Sequence, residues 1–295
     1  MPSPTHPPDS APRTPSPSPT IEKHPANSSQ EQHAKPKDSM PNINDTKSYP
    51  STITIRRAKL KDSQLLGSIL AASFIDDDVF GEYLFPHRHD HPDDYRLQFA
   101  RMMRSSMYKR NHRVRVAVDS ASSRVIGVAS WEKQGTRPSK STTDGGARNP
   151  VCMLLKRVSI QSLDAVARVI HPDRSVSVEN KRVFDAEVPN YKHYWSGPRA
   201  ETWYLSFLAV DPDYRGWGVG RALVEEGIQW GEVDEVCVSL ISTECGDGFY
   251  RRLGFVDVGS ATEGALKGLG GGNIKFYEEH MEKPGIEEKN EESQS

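Results

Sequence analysis

Apolar and polar residues alternate over Thr52-Ile-Thr-Ile-Arg56, the period of a strand with one buried face. A helical period follows in Leu65, Leu66, Ile69, Leu70 and Ser73, with Asp62 placed to cap its N-terminus. His91-Pro92-Asp93-Asp94 predicts a second helix start, with proline in the first turn and acids near the positive end of the dipole. Its apolar face is Tyr95, Phe99, Met102 and Met103. Arg113–Val118 and Val125–Trp131 read as a hairpin around the polar turn 120–124. Residues 133–200 break the pattern and read as an insert with a Gly/Ser/Thr-rich start and helices near 161–170 and 179–188. After it come a strand over Trp203–Val210, a helix from Gly218 to Trp230 and a strand over Glu235–Ser242. A short helix ends near Leu253, and 255–258 and 274–280 are the last strands. The chain predicts one α/β domain over residues 51–281, with the insert inside it.

Composition changes this picture at the two ends. Residues 1–50 hold 12 of the 21 prolines and no Leu, Val, Phe or Trp. Such a segment cannot bury enough apolar surface to offset its ordering entropy, so a disordered Pro/Ser-rich tail is expected there. Thr14-Pro, Ser16-Pro and Ser18-Pro read as parts of that solvated tail rather than as phosphorylation sites. An acidic tail is expected over 282–295. A net charge of -2 gives no reason to expect nucleic acid or an acidic membrane as partner. Cys152, Cys237 and Cys245 are too few and too irregular for a disulfide framework or a zinc site. No apolar run approaches a membrane span or a signal peptide, so a soluble cytoplasmic protein is expected, with the nucleus left open.

The chemistry lies in the central segment. A strand ending at Val210 meets the turn Asp211-Pro-Asp-Tyr214, then Arg215-Gly216-Trp217-Gly218-Val219-Gly220 and a helix. Glycines at alternate positions let backbone N–H groups approach a ligand closely, and a helix start adds partial positive charge. Arg215 and Arg221 add charge-assisted contacts. The spacing misses G-x-G-x-x-G by one residue and lacks the Gly-Lys-Ser/Thr of a nucleotide P-loop. On these residues alone the loop is either a phosphate or pyrophosphate cradle or a turn that binds nothing.

Phe249-Tyr250-Arg-Arg-Leu253-Gly254-Phe255 supplies a second signal. Together with Leu208–Gly220 it resembles the GCN5-related N-acetyltransferase (GNAT) superfamily. Arg215, Gly218 and Gly220 match that family's Gln/Arg-x-x-Gly-x-Gly/Ala loop, and Tyr250, Gly254 and Phe255 match its Tyr-x-x-x-Gly-Phe segment. The resemblance extends over residues 52–281 but does not explain the insert. It implies an α/β (α+β) fold with a mixed, mostly antiparallel central sheet, a splayed β4/β5 pair and flanking helices. It also implies acetyl-CoA as acyl donor, with no metal, and direct transfer to an amine in a ternary complex.

Residue by residue, the resemblance implies that Leu208, Ala209 and Val210 pair with the pantetheine arm. The Leu208 N–H polarises the thioester carbonyl. Arg215, Gly216, Trp217, Gly218, Val219, Gly220 and Arg221 hold the pyrophosphate. Thr243 stands where relatives often have Asn, and Tyr250 is the general acid for the departing thiolate. The strand positions that carry a Glu or His base in relatives are Tyr204 and Ser206 here. Glu201, Glu244, a water chain or an amine arriving neutral are the remaining choices for the base.

Three further signals carry less. His87-Arg-His-Asp-His91 is bracketed by prolines in a loop, so it reads as no metal site. Gly268-Leu-Gly-Gly-Gly272 reads as a flexible turn, which in the family borders the acceptor site. Asp76-Asp-Asp78 reads as a solvated helix end, in a connection that lines the acceptor cleft of relatives. The leading expectation is a small-molecule amine N-acetyltransferase. The alternatives are a protein or peptide N-acetyltransferase, and a non-catalytic acyl-CoA-binding regulatory module.

Overall fold

The structure is a computed structural model that describes residues 53–141 and 150–278. The expected tails, with the Thr-Pro and Ser-Pro positions in the first of them, lie outside the described residues, as do 51–52, 142–149 of the insert's start and 279–281 of the domain. Seven strands form one sheet in the order β1-β2-β3-β4-β5-β7-β6. They are β1 (Ile53–Arg57), β2 (His112–Asp119), β3 (Val125–Gln134), β4 (Thr202–Val210), β5 (Cys237–Ser242), β6 (Val256–Ser260) and β7 (Asn273–Tyr277). Every pairing is antiparallel except β4 with β5. That parallel pair is joined through α5 (Val219–Asp234), as parallel neighbours require a crossover.

Helices α1 (Ser63–Ser73) and α2 (Pro92–Met107) bury Leu66, Ile69, Leu70, Tyr95, Phe99 and Met103 against Val114, Val116 and Val128 of the sheet. Leu65 and Met102 depart from the expected faces: Leu65 is exposed and Met102 half-buried. Asp62 does stand at the N-cap position of α1, but it makes no side-chain cap to that helix. Its carboxylate accepts the Lys59 N–H at 2.7 Å and pairs with Arg56 at 2.8 Å.

On the other side, α5 and the short α6 (Asp247–Arg252) enclose Trp131, Trp203, Leu205, Leu223, Val224, Trp230 and Tyr250. Trp203 Nε1 donates to Asp234 Oδ2 at 2.8 Å, and the Arg113 guanidinium lies 4.6 Å from the ring centres of Trp203 and Trp230. The backbone of α5 can approach the sheet here because Gly227 has no Cβ: one would collide with the Trp131 ring.

The insert is largely helical, with α3 (Pro150–Ile170) and α4 (Val178–Tyr191). Strand β3 runs on to Gln134, two residues into the segment read as insert, and Gln134 pairs with Thr202 at the start of β4. Helix α4 lies over a single π-turn at Asp78–Tyr83, where Asn180 Nδ2 donates to the Tyr83 carbonyl at 2.7 Å. Among the described residues, no helix is long and apolar enough to cross a membrane.

Candidate active site

The site is set by what happens along β4. Thr202–Leu205 pairs in parallel with Cys237–Leu240, and the pairing stops there, so Ser206–Val210 run on without a β5 partner. At the same point the register against β3 shifts: Trp131 faces Leu205 and Ser130 faces Phe207, leaving Ser206 as an extra residue. A bulge of this kind bends the strand and reverses which face each later side chain takes. Trp203 and Leu205 accordingly pack in the α5 core with Leu208 and Val210, whereas Phe207 and Ala209 pack on the α1/α2 side. Bulge and splay together open the sheet between β4 and β5. The pattern of β4 as a sequence gives no sign of the bulge, because it depends on the partner strand.

The glycine loop follows β4 directly. Asp211 fixes the turn: its carboxylate accepts the Asp213 N–H at 3.2 Å and pairs with Arg124 at 2.6 Å. Gly216 and Gly218 take φ of 79° and 77°, the left-handed region that glycine enters without steric cost. Gly218 is the N-cap of α5, and a Cβ at Gly216 would meet nothing within 4 Å. Val219 is buried in the core below, while Arg215 and Trp217 are exposed. Gly220 sits where a Cβ would be 3.6 Å from both Val210 Cγ2 and Phe249 Cζ and 3.9 Å from Leu208 Cδ2. The loop, the end of β4 that lacks a β5 partner, and α6 therefore meet at Gly220. Arg215 makes no ion pair among the described residues and is free to meet an anion, whereas Arg221 pairs with Glu225 at 2.7 Å. Such a cradle fits a diphosphate: it offers backbone donors, a helix N-terminus, open space and an uncommitted guanidinium.

Tyr250 reaches this region from α6 and is buried, with Phe249 and Phe255 rings 5.0 and 5.8 Å away. Burial, with smaller contributions from Cys245 and Tyr204, pushes its phenol pKa well above the usual value. The group thus stays protonated at neutral pH. Its hydroxyl makes no hydrogen bond among the described residues. Thr243 holds the turn into α6, its Oγ1 accepting the Gly246 N–H at 3.2 Å. Tyr204 is likewise pushed up by burial, then by Tyr191 and Glu132, and supplies no base.

The residues considered for a base separate cleanly. Glu201 accepts from Lys133 Nζ at 2.7 Å and from the N–H groups of Thr136 and Arg137 at 2.6 and 3.0 Å. Burial acts to raise its pKa, but the Lys133 and backbone hydrogen bonds outweigh that and hold it at about 2. A carboxylate so stabilised is a poor proton acceptor, and Glu201 instead clasps the two ends of the insert. Glu244 is exposed and lies at Gly270 together with Asp78, whose Oδ2 accepts the Gly270 N–H at 2.6 Å. The run Asp76–Asp78 is thus no solvated helix end. Asp77 caps the π-turn through the N–H groups of Val79 and Phe80, and Asp78 docks the 268–272 turn. Beside them Phe80 stands 5.4 Å from Phe207 and 6.2 Å from Phe184, giving a half-buried aromatic wall from three elements. Neither this wall nor the pairing of Asp78 with the 268–272 turn was legible from local spacing.

Residues 180–257, which carry β4, the glycine loop, α5, β5 and α6, match the family model described as the acetyltransferase (GNAT) domain. Over this segment the chain is similar to the GNAT acetyltransferases. None of the curated proteins compared with the chain matches it. Among solved structures, the chain is similar to the histone acetyltransferase HPA2 and related acetyltransferase from Corynebacterium glutamicum, at 20% identity and a TM-score of 0.47 over 76% of this chain and 95% of that one. It is also similar to a GCN5-related N-acetyltransferase from Kribbella flavida, at 17% identity and a TM-score of 0.42 over 77% and 97%. A mosquito arylalkylamine N-acetyltransferase like 5b gives 17% identity and a TM-score of 0.39 over 76% and 97%. The GNAT family generally uses acetyl-CoA, and the left-handed glycines of the Arg215–Gly220 loop fit its diphosphate. Among the described residues, no group of three or more His, Cys, Asp or Glu could hold a metal ion.

Proposed function

We propose that the protein transfers an acetyl group from acetyl-CoA to the amine of a small molecule with an apolar body. The observation that carries this reading is the conjunction at Gly220. A left-handed glycine loop capping α5 meets a strand that has just parted from its parallel neighbour. When bound, acetyl-CoA supplies the acyl group as a thioester. In this reading the N–H groups of Gly216–Gly220 and the Arg215 guanidinium hold the diphosphate, with Trp217 at its edge. Thr243 holds the turn that positions α6. The backbone of Leu208–Val210 takes the extended arm, and the Leu208 N–H faces the carbonyl oxygen, where negative charge grows. Tyr250 Oη keeps its proton at neutral pH and gives it to the departing sulfur.

The acceptor side follows from charge and shape. Asp78 and Glu244 form an acidic rim that favours a cationic amine, and the wall of Phe80, Phe184 and Phe207 receives an apolar body. Glu244 is the carboxylate left free to take the amine proton. Binding of acetyl-CoA by calorimetry tests the donor half with a matched pair of variants. Asn and Asp both tolerate the left-handed backbone of Gly218, but only Asp places a negative charge against the diphosphate. Gly218→Asp should abolish binding with the melting temperature retained, and Gly218→Asn should weaken it less. Equal affinity in both variants and the parent would sink the reading. Release of free CoA across a panel of arylalkyl and alkyl amines tests the acceptor half. The loss of Glu201 as a base favours, as second reading, a module that binds acyl-CoA without turnover. Tight binding with no CoA release on any amine or peptide would select it.

A further inference from the structure

A cavity of about 590 Å³ lies between α2 and the end of α3, outside every element used above for acyl transfer. Its volume falls in the range of small-ligand sites. Three arginines line it, and two are already neutralised: Arg104 pairs with Asp164, and Arg174 with Asp94 at 2.7 Å. The third, Arg101, is only 3% exposed. Its Nε has no hydrogen-bond partner, and the side chain makes no ion pair among the described residues. A buried guanidinium with nothing to pair with is costly, because it has lost water without gaining an anion. Leu97 and Ile170 supply apolar wall beside it. Charge counting leaves one positive charge over, from three arginines and two carboxylates.

We propose that this cavity is a binding site for a small organic monocarboxylate, its carboxylate forked by Arg101 and its apolar body against Leu97 and Ile170. Guanidinium and carboxylate match in geometry and form paired charge-assisted hydrogen bonds. A single negative charge satisfies the one left over. The site is independent of the acyl-transfer reading and would stand if that reading failed.

Thermal unfolding of the full chain with benzoate as the probe tests this, with benzamide as its neutral match. Benzoate should raise the melting temperature, on the order of 3–5 °C for each tenfold excess over its Kd, and benzamide should not. Arg101→Met should weaken benzoate binding by about tenfold or more. Without ligand, that variant should melt no lower than the parent, because it removes an unpaired buried charge. Arg101→Lys, which keeps the charge but not the fork, should bind between the two. No benzoate shift in the parent would overturn the proposal, as would equal shifts in the parent and Arg101→Met. A larger shift with inorganic phosphate than with benzoate would overturn the assignment to a carboxylate.

Discussion

At the scale of single residues, the two tyrosines and two glutamates of the site differ through their surroundings rather than their identity. Tyr250 is held protonated by burial, so the acid role proposed for it is open to a direct test. Tyr250→Phe keeps the ring and its packing with Phe249 and Phe255. Turnover should fall about a hundredfold or more with acetyl-CoA affinity nearly unchanged, the pattern of an interaction made mainly in the transition state. Full activity in Tyr250→Phe would show that the acid lies elsewhere. Glu201 invites the opposite expectation. Its folded pKa of about 2 lies below the ordinary carboxylate value, so it contributes stability that is present above about pH 4.5 and lost as pH falls toward 2. Glu201→Gln should leave the pH profile of turnover unchanged while lowering stability at neutral pH. It should also flatten the acid limb of the stability curve. A shifted pH–rate profile in this variant would restore Glu201 as a base.

Among elements, the fit of α5 to the sheet sets where the glycine loop stands. Gly227 leaves space that the Trp131 ring fills, and that ring is fixed between Trp230 and the strand. Gly227→Ala gains helix propensity but forces overpacking, so a net loss of about 1–3 kcal/mol is expected by chemical denaturation. A stabilised variant would mean that α5 slides freely over the sheet. Elements of this kind were well marked in the sequence. The strong periods of α2, β2, β4 and α5 gave the fold, and the paired motifs at Arg215 and Tyr250 are what the proposed donor half rests on. What stayed hidden depends on partners distant in the chain. Ser206 is an extra residue only relative to β3, and Arg101 stands on an ordinary helical face until α3 closes over it. Asp62 occupied its expected position, yet Arg56 and Lys59 compete for its carboxylate.

For the whole molecule, the described sheet and its three apolar clusters are built from Ile53 onward. A chain starting at Ser51 is therefore expected to retain both its melting temperature and its turnover, since the first fifty residues lack the side chains a core requires. A drop in either would show that the N-terminal segment docks on the domain. Acidic and basic groups at the far end form a second stabilising network. Lys275 is fully buried and pairs with Asp247 at 2.7 Å and with Asp257. Its hydrogen bond, with that of Asn273, holds the Asp247 pKa at about 2. This stability too is present above the ordinary carboxylate pKa and fades as pH falls toward 2.

The pairing of Gln134 with Thr202 makes β3 and β4 a hairpin whose loop is the insert. Loop-closure entropy grows only with the logarithm of length. Exchanging residues 135–201 for a turn of about four residues would alter that cost by only about 2.5 kcal/mol. The sheet is thus nearly indifferent to what the hairpin carries. The acceptor side is not, because α4 contributes Phe184 to the aromatic wall and holds the π-turn through Asn180. One strand pair therefore joins the half that carries the Arg215–Gly220 loop to an exchangeable cassette. Changes of acceptor can accumulate in that cassette by insertion and deletion as well as by substitution, without disturbing the register on which the glycine loop depends.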